Sequence, residues 1–127
     1  MFDLMITLAA LNAGLSADLF ERVCWVESRH RNVITHNDGG SPSYGPCQIK
    51  LVAARTIDPR ITRQALTKPH VSTRLAALYL ARQIRRAGGD IDCGLLLYNQ
   101  GSTQLTRCSR TQYVRKVKNA LVIIPVR

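Results

Sequence analysis

Glu27 is the residue whose position in the chain most clearly points to chemistry. On a helix over residues 17–29, at about 100° per residue, Glu27 lies on the same side as Phe20, Val23 and Cys24. Those three side chains form an apolar stripe that would face a core. A carboxylate on such a stripe is costly unless it is paired or protonated, and its removal from water raises its pKa. A carboxyl group of this kind can act as a general acid near neutral pH.

A structural role is the alternative explanation for Glu27. The chain has 18 Lys and Arg residues against 8 Asp and Glu residues, so a basic partner for a buried carboxylate is easy to find. From position alone, an ion pair with an arginine explains a carboxylate on a core-facing stripe better than a catalytic role does. The small number of acidic residues nevertheless keeps the list of candidate acids short.

Three further motifs follow Glu27-Ser28 along the chain. They are Ser43-Tyr44-Gly45-Pro46-Cys47-Gln48-Ile49, Leu96-Leu97-Tyr98-Asn99-Gln100-Gly101 and Tyr113-Val114-Arg115-Lys116-Val117. Their order and spacing, over residues 4–120, resemble the lytic transglycosylases and the related goose-type lysozymes. That family reads Glu-Ser at the end of a helix, then Gly-Leu-Met-Gln-Ile, Ala-Tyr-Asn-x-Gly and Tyr-Val-x-x-Val. Each fragment alone is weak, whereas four in order with suitable gaps form a specific match.

The resemblance implies an enzyme that cleaves peptidoglycan, with Glu27 as its catalytic acid. Glu27 would protonate the oxygen of the β-1,4 bond between N-acetylmuramic acid and N-acetylglucosamine. In lytic transglycosylases the same residue, now a carboxylate, removes the proton of the C6 hydroxyl of the muramic acid. That hydroxyl attacks C1 and leaves a 1,6-anhydro sugar, so neither water nor a cofactor takes part.

Hydrolysis of the same bond, as in a goose-type muramidase, is an alternative that the sequence leaves open. An inverting hydrolase needs a second carboxylate about 6.5–9.5 Å from the acid to activate water. Asp38 is the candidate in the connecting loop, and goose-type lysozymes carry an Asp in a comparable place. The more ordinary interpretation of Asp38 is a turn residue ahead of Gly39-Gly40.

The resemblance also gives supporting roles to residues of the second and third motifs. Gln48 would hydrogen-bond a sugar or brace the loop near Glu27. Tyr98 would place its hydroxyl close to the acid, and Asn99 would order the turn or serve a purely structural role.

Two more residues complete the predicted site, and the chain departs from the family pattern at two places. Ser28 follows the acid and would hydrogen-bond locally, and Tyr44 belongs to the second motif.

Pro46-Cys47 replaces the usual Leu-Met, and in the family that Met forms a wall of the sugar site. Gln100 stands where many members have a small residue.

The elements that must position these residues are mostly helices. A polar stretch over residues 31–45 predicts a long loop or a small β-excursion. With 127 residues, we expect a single compact domain over 1–127, mainly α, of the α+β lysozyme-like class. The tail over residues 121–126 would be a short strand or a connection. Caps and apolar periodicity predict helices over 4–14, 17–29, 46–56, 71–87, 91–98 and 111–122.

The cysteines and histidines give no sign of a metal site. No cysteine pair has the short Cys-x-x-Cys spacing of a zinc or redox site, and the histidines have no ligand-like spacing. Three of the cysteines lie in apolar surroundings, where a cysteine usually packs as a small hydrophobic residue. We therefore expect free thiols, although four cysteines would allow three pairings that sequence cannot choose among. The residues concerned are Cys24, Cys47, Cys93, Cys108, His30, His36 and His70.

The formal net charge of +10 predicts attraction to a polyanion. We interpret it as attachment to anionic cell-wall polymers, by a monomer that binds peptidoglycan strands. A basic helical nucleic-acid-binding module is the alternative from another class. No recognition helix is recognisable and aromatic residues make up only 6% of the chain, so we expect no specific nucleic acid. The phosphate contacts of such a module would come from Arg29, Arg31, Arg82, Arg85, Arg86, Arg107, Arg110 and Arg115.

The sequence also bears on where the protein acts. No apolar run approaches the about 20 residues that a membrane span requires. Asp3 stands where a signal peptide would carry Lys or Arg, so we interpret the apolar segment 4–15 as the first helix. Small size, basicity and no evident signal peptide predict a bacteriophage lysis protein or virion component that acts on the bacterial wall. A bacterial secretion- or conjugation-associated transglycosylase is the alternative.

Overall fold

The computed structural model describes residues 3–101 and 107–120, and within these ranges helices dominate. A small antiparallel sheet accompanies them, which confirms the predicted mainly-α class. The predicted strand or connection over 121–126 lies outside the described residues. No helix in the described ranges is both long and apolar enough to cross a bilayer. The helices are α1 (Asp3–Asn12), α2 (Ala17–Ser28), α3 (Leu51–Ile57), α4 (Arg63–Leu66), α5 (Pro69–Arg86), α6 (Ile91–Gln100) and α7 (Gln112–Lys118), with a 3-10 turn at Cys108–Arg110.

Helix α2 carries Glu27 in its last turn, and local signals fix where it begins and ends. The Ser16 side chain accepts a hydrogen bond from the Leu19 N–H at 3.2 Å and caps the first turn. Arg29 follows the helix in the left-handed conformation, with φ 59°, and its N–H donates to the Trp25 carbonyl at 2.9 Å. The helix therefore stops directly after Glu27-Ser28.

The sheet follows α2 and has the strand order β1-β2-β3, with both pairings antiparallel. Its strands are β1 (Ile34–Asp38), β2 (Ser41–Tyr44) and β3 (Ile49–Lys50). The predicted helix over 46–56 is therefore wrong in its first residues, because β3 comes first and α3 begins at Leu51. Gln48 has φ 56°, a left-handed conformation that turns the chain back to pair with β2 and interrupts the helical pattern.

Helix α5 lies at the centre of the helical packing, since it contacts α1, α3, α4 and α6. Its side chains Leu75 and Leu80 are fully buried. Helix α6 approaches it closely at Gly94, where a Cβ would lie 2.7 Å from the Ile84 Cα. Only glycine allows the two helices to come this close. The close packing of α6 against α5 also fixes the position of Tyr98, which lies near the end of α6.

Two disulfides join the elements, so the expectation of free thiols is wrong. Cys24 of α2 is bonded to Cys47, with Cα atoms 4.2 Å apart, and Cys93 of α6 is bonded to Cys108, with Cα atoms 5.0 Å apart. Apolar surroundings do not distinguish a buried thiol from a buried disulfide. The partners lie 23 and 15 residues apart along the chain. Packing of α2 against the turn at residues 45–48, and of α6 against the 3-10 turn, brings them together.

Candidate active site

A groove of about 160 Å³ runs past the end of α2, the sheet and the end of α6. Five of the seven predicted site residues line it, whereas Ser28 and Tyr44 do not. The five are Glu27, Asp38, Gln48, Tyr98 and Asn99.

Glu27 is half-buried in this groove and receives a hydrogen bond from the Tyr113 hydroxyl to its Oε2 at 2.8 Å. Burial raises the pKa of Glu27 from 4.5 to about 7, the Tyr113 hydrogen bond opposes that rise, and the negative charge of Asp38 adds to it. Among the residues that the structure describes, no basic side chain forms an ion pair with Glu27. The structural explanation of Glu27 as half of an ion pair is therefore wrong for this part of the chain.

Tyr113 belongs to the site, although its position in the sequence did not indicate a role. The Thr111 side chain caps α7 by accepting from the Val114 N–H at 3.4 Å, which places Tyr113 in the first turn. Burial and the nearby Glu27 raise the pKa of Tyr113 well above its ordinary value, so its hydroxyl stays protonated as a donor. The signal in the sequence was the Tyr-Val-x-x-Val motif, which begins with Tyr113. The motif marks this tyrosine but does not say what it does.

Tyr98 has a different hydrogen-bond partner from the one expected. Its hydroxyl donates to the Cys47 carbonyl at 2.5 Å, not to the acid. Burial raises the pKa of Tyr98 well above its ordinary value, and the negative charge of Glu27 raises it further. Tyr98 thus lies within electrostatic reach of Glu27 while its hydroxyl holds the chain at Cys47.

Gln48 braces the loop over residues 45–48, which is one of the two roles expected of it. Its side-chain amide donates to the carbonyls of Val33 at 3.0 Å and Gly45 at 2.9 Å. Its side-chain carbonyl accepts from the Thr35 hydroxyl at 2.5 Å. With all three contacts made inside the protein, Gln48 ties the 45–48 loop to the segment that leads into β1.

The 45–48 loop is also fastened to α2. The Ser28 hydroxyl donates to the Pro46 carbonyl at 2.6 Å, and one residue further the Cys24–Cys47 disulfide joins the same helix. Ser28 is therefore a structural link beside the groove. Because Cys24 lies about one turn before Glu27, these links fix the acid relative to the loop.

Asp38 lies both at the hairpin turn and in the groove. It ends β1 just before Gly39-Gly40, which have φ 64° and 98° and form the hairpin turn. It also lines the groove, where its Oδ2 accepts from the Ser43 hydroxyl at 2.7 Å. The Lys50 ammonium donates to the main-chain carbonyl of Asp38.

The end of α6 forms another wall of the groove. Asn99 is exposed there, and Gly101 follows the helix with φ 80°. Tyr44 instead lies in β2 opposite Ile34 and Ile49, is 6% exposed and belongs to the core. No cluster of three His, Cys, Asp or Glu side chains suited to a metal ion occurs in ranges 3–101 and 107–120.

Comparison with known protein families gives one match. The family described as "Transglycosylase SLT domain" matches residues 5–121, which is nearly the whole chain. No curated protein and no solved structure matches the chain significantly.

Proposed function

The chain belongs to the transglycosylase SLT domain family and is thus a peptidoglycan lytic transglycosylase, and we propose that Glu27 carries its reaction. Family membership establishes an enzyme that acts on the peptidoglycan of the cell wall. The assignment to Glu27 is supported by one observation above all. Glu27 is a carboxyl group in the groove whose side-chain partner is a neutral hydroxyl, and burial brings its pKa to about 7.

In the first step, protonated Glu27 donates its proton to the glycosidic oxygen. A pKa of about 7 keeps a large share of the group protonated at neutral pH, which suits a general acid. Tyr113 occupies Oε2, so we assign the transferred proton to Oε1. The C1–O bond to the leaving sugar breaks as that oxygen becomes a hydroxyl, and the substrate's own acetamido group assists at C1.

In the second step, Glu27 acts as the base. Its carboxylate takes the proton of the C6 hydroxyl, the C6 oxygen forms a bond to C1, and a 1,6-anhydro ring closes. The proton count balances, because Glu27 regains the proton that it gave and no water enters. The Tyr113 hydrogen bond stabilises the carboxylate between the two steps.

The other groove residues would hold the glycan strand and the shape of the site. Gln48 and Tyr98 keep the 45–48 loop in place through their contacts with Gly45 and Cys47. Asn99 and Gln100 are exposed amides that line the groove, and we assign Asn99 to hydrogen bonds with the sugar.

Substitution of Glu27 tests this proposal. Glu27→Gln keeps the shape of the side chain but has no proton to give, so clearing of purified peptidoglycan should fall by about 100-fold or more. Glu21→Gln is the matched control, since Glu21 lies on the same helix and pairs with Thr7 outside the groove. Equal clearing by wild type and Glu27→Gln would contradict the assignment.

Hydrolysis by a muramidase-like mechanism is the second candidate function. Asp38 lines the same groove, and its charge raises the pKa of Glu27, so a second carboxylate does act on the acid. In that mechanism Asp38 would position the attacking water. Its Oδ2 already accepts from Ser43, and the resulting restraint on Asp38 fits a structural role as well.

We also propose where the enzyme acts and what kind of protein it is. A net charge of +10 would hold it on anionic wall polymers. A small, basic, wall-degrading domain suits a bacteriophage lysis protein or virion component, as the sequence predicted.

A further inference from the structure

Helix α1 exposes three leucines along one face. Leu4 is 62% exposed, Leu8 56% and Leu11 61%, whereas Ile6 on the other side of α1 is fully buried. The three leucines are four and three residues apart, which places them on the same side of the helix. We call them the α1 leucine face. A row of exposed leucines of this kind marks an interaction surface more often than isolated apolar residues do.

Charges of both signs lie near the α1 leucine face: Arg74 of α5 borders it, and half-buried Glu21 of α2 accepts a hydrogen bond from the Thr7 hydroxyl of α1 at 2.6 Å. Asp3 is the acidic residue of α1, and it is buried and paired with His30 Nδ1 at 2.8 Å. On the neighbouring helix α5, the exposed side chains of His70 and Arg74 border the shallow depression that Leu4 and Leu8 line. The α1 leucine face is therefore apolar, and the edge that α5 forms is cationic.

We propose that the α1 leucine face docks on an anionic lipid surface. Leucines on one side of a helix insert at the boundary between headgroups and acyl chains, and a neighbouring arginine meets lipid phosphates. The net charge of +10 attracts the whole molecule to such a surface over a distance of about a Debye length. Docking would keep the enzyme beside the membrane that underlies the peptidoglycan. This inference goes beyond the proposed function and does not depend on it.

Charge disfavours a second copy of the chain as the occupant. Two copies would each carry a net charge of +10, so they repel one another, whereas an anionic membrane attracts both.

Vesicle sedimentation tests the proposal. We expect the full chain to co-sediment with vesicles of phosphatidylethanolamine and phosphatidylglycerol, and far less with vesicles of phosphatidylcholine. Leu8→Ser should weaken binding about tenfold, because it removes the apolar contribution of one side chain. Arg74→Gln should weaken binding to the anionic vesicles about fivefold. Ile91→Ser is the matched control, since Ile91 is 44% exposed on α6 and should not alter binding.

Leu4→Ser and Leu11→Ser serve as independent replicates of Leu8→Ser, and thermal melting of each variant verifies that it is folded. Three results would overturn the proposal. The first is no binding of the wild type to the anionic vesicles. The second is binding that all the leucine variants retain, since charge alone would then account for it. The third is a dimer in solution that Leu8→Ser dissociates, which would assign the face to a second copy. Clearing of peptidoglycan has no part in this readout, so the two proposals fail separately.

Discussion

Three effects on a single residue set the chemistry of the groove. Burial destabilises the carboxylate of Glu27, the Tyr113 hydroxyl stabilises it, and the charge of Asp38 destabilises it again. Their balance is a pKa of about 7, which lets one group both give and take a proton at neutral pH. The sequence predicted the burial from the apolar stripe on α2. It could not predict the hydrogen bond from Tyr113, because that residue lies 86 positions further along the chain.

Substitution of Tyr113 tests the stabilising contact. Tyr113→Phe removes the hydrogen bond that lowers the pKa of Glu27, so that pKa should rise by about one unit. Since Glu27 must be protonated to act as an acid, activity is lost as pH rises through its pKa. The alkaline limb of the kcat/KM profile should therefore move to higher pH. Tyr44→Phe, at a core tyrosine outside the groove, should leave the limb where it is, and an unmoved limb in Tyr113→Phe would refute the role.

Substitution of Asp38 should move the same limb the other way. Asp38→Asn removes the negative charge that raises the pKa of Glu27, and the alkaline limb should shift to lower pH by less than about one unit. Most of the activity should remain, because a transglycosylase needs no second carboxylate. Asp92→Asn is the control, since Asp92 pairs with Lys118 outside the groove. A loss of about 100-fold in Asp38→Asn would favour hydrolysis instead.

At the scale of elements, helices were predicted better than the turns between them. The helices α2, α5 and α6 follow from caps and apolar periodicity, which are local properties of the sequence. The short helix α4 was missed, and so was β3, which pairs with β2 instead of starting a helix. Both depend on contacts between distant segments. The same holds for the site. The sequence showed its motifs, but it did not show most of the contacts between them, because these join distant segments.

The 45–48 loop gives a prediction at this scale. Gly45 has φ 85°, and a Cβ there would lie 2.1 Å from the Ser72 Oγ, so Gly45→Ala should cost about 3 kcal/mol of unfolding free energy. Gly88→Ala is the matched control, because Gly88 has φ 70° but nothing within 4 Å of the added Cβ. That variant should lose only about 1 kcal/mol. Urea unfolding of the two variants measures the difference, and equal losses would contradict the packing described for the loop.

At the scale of the whole molecule, the two disulfides tie the pieces of the groove together. Cys24–Cys47 joins the helix of Glu27 to the 45–48 loop, and Cys93–Cys108 joins α6 to the turn before α7. The sequence could not reveal them, because pairing depends on which elements pack side by side. The net charge of +10 was readable from the sequence, but the placement of the exposed α1 leucines beside His70 and Arg74 of α5 was not.

Removal of a disulfide tests this account of the molecule. Cys93→Ser/Cys108→Ser should lower the free energy of unfolding by about 3 kcal/mol, because the unfolded chain loses a constraint. Tyr113 should also be held less firmly beside Glu27. The alkaline limb of the pH profile of kcat/KM should therefore move in the same direction as in Tyr113→Phe. Cys24→Ser/Cys47→Ser should lower stability by a similar amount without that shift. An unchanged urea midpoint in both double variants would contradict the stabilising role of the disulfides.

The most direct test of the central claim is mass spectrometry of the muropeptides that the enzyme releases from purified peptidoglycan. If Glu27 works first as acid and then as base, wild-type products end in 1,6-anhydromuramic acid, and Glu27→Gln releases almost none of them. Products heavier by one water, or anhydro products released equally by Glu27→Gln, would contradict the mechanism.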